Sequence, residues 1–332
     1  MIFSPVPAMP STDHTVLIER INLEDRTFQV TTETAVETLA ASIARLGVMH
    51  PPVLLGDNTH SIIISGFRRI AACRFMGISE IPVKLLPPET DKKTCVQMAI
   101  ADNSLQRPLN LIEISRALIL LFGVYPDSDD LCRAAGDMGL PDNFSAIHKL
   151  RQLSCLAEEI QEGVLSNVLS LAMALELGHM EKPCGVAMAT LFGYLKLGLN
   201  KQREILTMIQ EIAFREHVSV QDILNTSDLQ QIMMHEKWDR SQKTVHLRQY
   251  LKRRRYPSIT AFESDFEANV RSLDLESGIV LSPPRYFEGT TYCFQLTFNN
   301  LAQLQQRISC LAKASTSHSL NEILNGCRFA NH

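Results

Sequence analysis

Ser61-Ile62-Ile63-Ile64-Ser65-Gly66-Phe67-Arg68-Arg69 is the stretch whose reading decides the fold. Three successive isoleucines predict a short buried strand. Gly66 supplies a turn, and the run from Phe67 to about 76, closed by Gly77, reads as a helix. A strand that passes through glycine into a helix headed by two arginines is a natural anion cradle. The N–H groups of the first turn lack intrahelical partners, and each guanidinium adds charge and a fork of donors. The bland alternative is a solvated helix start carrying surface ion pairs.

Working outward, residues 33–46 read as a helix with Val36, Leu39, Ala40, Ile43 and Leu46 on one face, Thr32 as N-cap and Gly47 as stop. Val53–Leu55 and Ser61–Ile64 read as strands around the turn Gly56-Asp57-Asn58, with a further strand at Ile81–Leu86 and a helix over 91–102. That helix leads into Ala101-Asp102-Asn103-Ser104-Leu105-Gln106-Arg107. Asp102 and Asn103 carry oxygens of the kind that hold magnesium on phosphates, and they equally suit a helix-end turn. The pattern points to nucleotide handling.

Residues 111–235 read as entirely helical, and Leu131–Gly139 followed by a helix near 144–153 has a helix-turn-helix cadence. Its second helix offers His148, Lys149 and Arg151; a plain α-hairpin is the alternative. From 236 a basic helix is expected, with Trp238, Val245 and Leu251 as apolar anchors and Tyr256-Pro257 as its end. A helix over 260–273, a strand at Ile279–Leu281, the alternating strand Tyr292–Phe298 and a helix over 300–313 follow. The expected class is therefore α+β and multidomain: a loose Pro/Ser/Thr-rich tail (1–16), an α/β domain (17–110), a helical domain (111–235) and a small α+β module (236–326).

The 332 residues carry a formal net charge of −4, which does not favour nucleic acid, but the distribution is uneven. Residues 111–226 hold 9 basic and 15 acidic side chains, whereas 237–255 hold eight Lys or Arg against Asp239 alone. DNA contacts are therefore expected from Lys252, Arg253, Arg254 and Arg255 more than from Lys149 and Arg151. Eight cysteines, at 73, 95, 132, 155, 184, 293, 310 and 327, form no CxxC pair, so reduced and mostly buried thiols are expected. There is no run of 18 apolar residues and no charged start before an apolar stretch, so the expected location is the cytoplasm, without a membrane partner.

Residues 17–122 resemble the ParB/sulfiredoxin domain. The matching order is a helix ending in glycine, the loop Gly47-Val48-Met49-His50-Pro51, a strand, a G-x-R-R helix start, a strand at Ile81-Pro82-Val83, and Asp102-Asn103 followed by Leu109-Asn110-Leu111-Ile112-Glu113. Partition proteins of this family read GERR and ENLQRxxLNPIE at these places. The resemblance implies a CTP-binding, DNA-associated protein of the chromosome or plasmid partition type, associated with nucleoid or plasmid. A partition ATPase and a second copy of the chain are its implied partners. It places Gly66, Arg68, Arg69 and Asn103 on the triphosphate, Gly47 and His50 near the base, and Asp102 and Asn103 on Mg²⁺. Two departures matter. Phe67 stands where partition proteins have Glu, and an apolar ring can neither orient water nor ligate a metal, so CTP hydrolysis is in question. The family arginine falls on Gln106, with Arg107 one residue on, about 100° around a helix. Two other classes stay open beside the DNA-binding reading: a nucleotide hydrolase or nuclease, and a non-catalytic docking protein with a degenerate cradle.

Overall fold

Alternating apolar residues build a sheet, and the sheet sets the place of the arginine-headed helix. The computed structural model describes residues 12–57, 60–284, 287 and 289–326. The chain begins with β1 (Thr12–Leu17), β2 (Ile21–Asn22), α1 (Glu37–Leu46), β3 (Val53–Gly56), β4 (Ser61–Ser65), α2 (Phe67–Phe75), β5 (Glu80–Leu86) and α3 (Lys92–Ser104). The five strands form one mixed sheet in the order β1-β5-β3-β4-β2. Pairs β1·β5 and β3·β4 are antiparallel, and β3·β5 and β2·β4 are parallel. Ile63 joins a core with Ile43, Leu54, Ile70, Cys73 and Val83. Ile64, the next residue, is buried on the other face of the sheet, and α3 packs against β4.

Residues 12–16, expected as part of a loose tail, are instead strand. They pair with β5 from Thr12↔Leu85 to Leu17↔Glu80, and Val16 is buried in the core. Residues 1–11 of that tail, and Asn58 of the expected turn, lie outside the described residues. Helix α1 starts at Glu37 rather than 33, and Thr32 does not cap it. The Thr32 N–H and hydroxyl both donate to Glu113 Oε1, at 2.9 and 3.2 Å, and Arg116 donates to the Thr31 carbonyl at 2.7 Å. These bonds hold residues 31–32 away from helical geometry.

Helices α4 (Leu111–Phe122), α5 (Ser128–Asp137), α6 (Phe144–Leu150), α7 (Glu158–Leu165), α8 (Leu171–Gly178) and α9 (Lys182–Leu195) follow. Asn110 starts α4 with a capping box: its side chain accepts from the Ile112 and Glu113 N–H groups, while Glu113 accepts from the Asn110 N–H. Helix α6 is shorter than expected and passes into a 3₁₀ turn at Leu153–Cys155.

The backbone divides into two compact units between Leu199 and Asn200, and the expected boundaries at 110/111 and 235/236 lie one within each unit. Glu113 binds Thr32 across the first of those expected boundaries. The second unit contains α10 (Leu199–Glu216), α11 (Val220–Leu224), α12 (Ser227–Met234), α13 (Arg240–Arg255), α14 (Pro257–Ser272), β6 (Ile279–Ser282), β7 (Cys293–Leu296), α15 (Leu301–Ser315) and α16 (His318–Gly326). Lys243 Nζ donates to the Met233 carbonyl at 2.6 Å across the second expected boundary. Leu247 and Leu251 anchor α13, whereas Val245 is exposed, because the buried stripe runs through Lys243, Thr244, Leu247 and Leu251. Trp238 precedes the helix and stacks between His235 and His246. Pro257 opens α14 instead of merely closing α13, as its missing N–H suits a first helical turn. The pair β6·β7 is antiparallel, and Leu281 lies in a small cluster with Leu273, Ala314, Leu320 and Ile323.

The architecture is thus α+β and multidomain. Among the described residues no helix is long and apolar enough to cross a membrane. Seven described cysteines are free; Cys73, Cys95 and Cys184 are buried, while Cys155 and Cys293 are exposed.

Glu113 yields a stability prediction. Burial pushes its carboxyl up, but the Arg107 hydrogen bonds, the N–H groups of Thr32 and Asn110 and the Arg107 charge outweigh this and hold it at about 2, against an ordinary 4.5. A depressed folded pKa stabilises above the unfolded pKa and is lost as pH falls through the folded one. Glu113→Gln is expected to cost about 3 kcal/mol at pH 7. In chemical denaturation its deficit should shrink between about pH 5 and pH 2. A pH-independent deficit would show that the carboxylate charge contributes nothing.

Candidate nucleotide-binding cradle

Gly66 places α2. Its φ of +92° is a conformation that suits glycine, and a Cβ there would lie 2.8 Å from Pro52 Cβ and 3.0 Å from its Cα. The turn aims the first turn of α2 into a cavity of about 750 Å³ lined by Gly66, Phe67, Arg68 and Arg69. No side chain caps this helix, so its leading N–H groups have no capping acceptor. Arg68, Arg69, Lys84 and Arg107 line the cavity against the carboxylates Glu33 and Asp102. Four cations against two anions leave an excess of positive charge.

Each arginine already has partners. Arg68 pairs with Glu33 and donates to the Ala35 carbonyl at 3.0 Å, and its Nε is buried without a partner. Arg69 donates to the His50 carbonyl at 2.5 Å and to Asp102 Oδ2 at 2.6 Å. Arg107 forks onto Glu113, both contacts at 2.7 Å, and reaches Glu33 at 3.2 Å. Displacement by one residue thus does not remove Arg107 from the cavity. Phe67 is half-buried against the core and contributes an apolar wall.

Of the residues singled out in the sequence, Gly66, Arg68, Arg69, His50, Asp102 and Asn103 come together at this cavity. Gly47 ends α1 with φ +72° and is not part of the lining. Glu33, Lys84 and Arg107 were not among the site residues expected. For Lys84 a signal existed: in Glu80–Leu86 the buried Ile81 and Val83 alternate with exposed Pro82 and Lys84.

The donor set fits a polyphosphate. Its arrangement does not fit magnesium: Arg69 sits on Asp102 Oδ2 and Gln106 Nε2 on Oδ1 at 3.2 Å, while the Asn103 amide donates to the Ala99 carbonyl at 2.7 Å. Among the described residues no group of three or more His, Cys, Asp or Glu is placed to hold a metal ion.

The basic run of α13 is largely neutralised. Lys252 pairs with Glu263 at 3.0 Å, Arg254 with Glu216 at 2.6 Å and Arg255 with Glu211. Arg248 pairs with Glu204 at 2.8 Å, and Arg215 donates to the Arg254 and Arg255 carbonyls. Arg253 is exposed and has no ion pair with a described residue. In the first unit Lys149 is exposed, whereas Arg151 lies over the Phe122 ring, 4.0 Å from its centroid.

Residues 10–104 match the family model of the ParB N-terminal domain. The chain is 30% identical over 184 residues to the "Probable chromosome-partitioning protein ParB" of Chlamydia trachomatis, covering 50% of this chain and 60% of that protein. It spans about half to three-fifths of the length of the curated relatives it matches. Two solved structures of C-terminally truncated ParB from Caulobacter crescentus are similar in part. The one complexed to the centromeric parS site is 18% identical, covers 57% of this chain and 96% of its own, and has a TM-score of 0.32. The one complexed with CTP-gamma-S is 22% identical, covers 55% and 98%, and has a TM-score of 0.24. The G-x-R-R helix start and most of the cavity it faces fall within the matched stretch: residues 10–104 of this chain are similar to the ParB N-terminal domain.

Proposed function

We propose that this chain is a DNA-binding protein of the chromosome or plasmid partition type, whose N-terminal domain takes CTP as a switch ligand. The observation that carries the reading is the cradle at Gly66–Arg69, an uncapped helix start with an excess of guanidinium and ammonium groups, inside the region that matches the ParB N-terminal domain. Such a switch works only by differential affinity for two conformations. Phe67 supplies no group for orienting water, so the ligand is read as bound, with hydrolysis weak or absent. Magnesium enters only as the companion of the phosphates. The same reading brings a partition ATPase and a second copy of the chain as further partners, in a nucleoid- or plasmid-associated cytoplasmic setting.

DNA contact is assigned to Lys149, Lys252 and Arg253; Lys252 has only a water-exposed pair with Glu263, whereas Arg254 and Arg255 are held by carboxylates of α10 and Arg151 lies on an aromatic ring. Engaging Arg254 or Arg255 would require breaking their ion pairs first.

Two measurements test the reading. Equilibrium binding of CTP, against ATP, GTP and UTP with Mg²⁺, should be CTP-selective. It should weaken at least about tenfold in an Arg68→Ala/Asn103→Ala variant, the scale of one charge-assisted hydrogen bond. A folded chain that binds no nucleotide, with or without DNA, would reduce the cradle to a relic. Separately, Arg253→Glu and Lys149→Glu should each weaken duplex binding across sequences and lower the salt slope by about one, measured by fluorescence anisotropy. Unchanged slopes would place the contacts elsewhere.

A further inference from the structure

Glu33 lies between two of the arginines that line the cradle. Its carboxylate pairs with Arg68 Nη1 and, at 3.2 Å, with Arg107 Nε. All three side chains line the cavity. A carboxylate held between two guanidiniums satisfies the same forked donors that a phosphate group would satisfy.

The two arginines do not depend on Glu33 equally. Arg107 keeps its two 2.7 Å bonds to Glu113 whether or not Glu33 is present. Arg68 keeps the Ala35 carbonyl, and its Nε is a buried donor without a partner. Glu33 itself is 42% exposed and lies outside any helix or strand, just before α1. Its backbone is tied locally, by a 3.2 Å bond from its N–H to Thr31 Oγ1. The other cavity carboxylate is held more firmly: Asp102 is 30% exposed, and its Arg69 partner only 15%. An ion pair as open to water as that of Glu33 contributes little and exchanges readily.

We propose that Glu33 is an internal anion that occupies the phosphate subsite of the cradle and is displaced by an entering polyphosphate, so that it sets the affinity of the site. This rests on the nucleotide-binding reading above. Displacement leaves Arg68 and the free side of Arg107 for the ligand, while Glu113 keeps Arg107 in place. It also removes the Glu33–Arg68 tie between the stretch before α1 and α2, while the Arg68–Ala35 bond remains.

The test is calorimetric titration of the full chain with inorganic tripolyphosphate and with CTP, on wild type, Glu33→Gln, Arg68→Ala and the double variant. Thermal melts show whether each variant is folded. Glu33→Gln is expected to bind tripolyphosphate about 3- to 5-fold more tightly than wild type, the scale of one partly exposed charged pair no longer competing. In the Arg68→Ala background the gain should fall below about twofold, because the competition acts through Arg68. Unchanged or weaker binding by Glu33→Gln overturns the proposal. So does an equal gain in both backgrounds, which would mark a general relief of negative charge. Tripolyphosphate showing the gain while CTP does not bind keeps the proposal and removes CTP as the ligand. Binding of neither probe by any of the four proteins removes both.

Discussion

Glu113, buried at the start of α4, accepts both forks of Arg107 and the backbone N–H groups of Thr32 and Asn110. One carboxylate thereby joins three pieces of chain that are distant in sequence or differ in structure. It closes the capping box that begins α4, fixes the irregular stretch before α1, and holds Arg107 at the cavity. A buried charge is tolerable only when its lone pairs are filled, and here several donors fill them. Removing any one donor leaves the others holding an incompletely satisfied carboxylate. The start of α4, the position of Glu33 and the reach of Arg107 are therefore set together.

The same constraint shows why much of the sheet was legible and the stretch beside it was not. Ser61–Ser65, Phe67–Phe75 and Leu111–Phe122 fall within a residue or two of where periodicity placed them, because their apolar spacing matches one regular geometry. The apolar spacing from Val36 onward predicts a helix over 33–46 capped by Thr32, yet the helix starts at Glu37 and Thr32 bonds to Glu113, 81 positions away. No window of local sequence contains that partner. Strand β1 was missed for a related reason: its pairing with β5 is long-range, and its neighbours in sequence are rich in proline and serine.

At the cavity, residue types were readable and their pairings were not. Gly66, Arg68 and Arg69 announce a cradle because a strand, a glycine and an arginine-headed helix are adjacent in sequence. Lys84 was available from the alternation of β5, once the buried set of Ile81 and Val83 was assigned. Glu33 was not, since its significance depends on standing opposite Arg68 and Arg107 in space. Asp102 had the chemistry of a metal ligand, but Arg69 and Gln106 occupy its oxygens.

Arginine–carboxylate pairs occur in both units, and their surroundings give them different consequences. Between α10 and α13, Arg254 is held by Glu216 and also bonds Tyr250, while Arg215 donates to the Arg254 carbonyl and to Glu216. Arg248 and Arg255 add pairs to Glu204 and Glu211, seven residues apart on α10 as their partners are on α13. Seven residues return to the same helix face, so these bonds act as one seam between regular elements. Releasing one of them for a phosphate disturbs its neighbours. In the cradle, Glu33 belongs to no helix or strand, and each arginine it meets retains another partner. A guanidinium can exchange anions where the carboxylate stands outside the regular elements and the guanidinium is separately anchored. By that criterion the charge concentrated in α13 is mainly structural, and the smaller charge at α2 is the part available to a ligand.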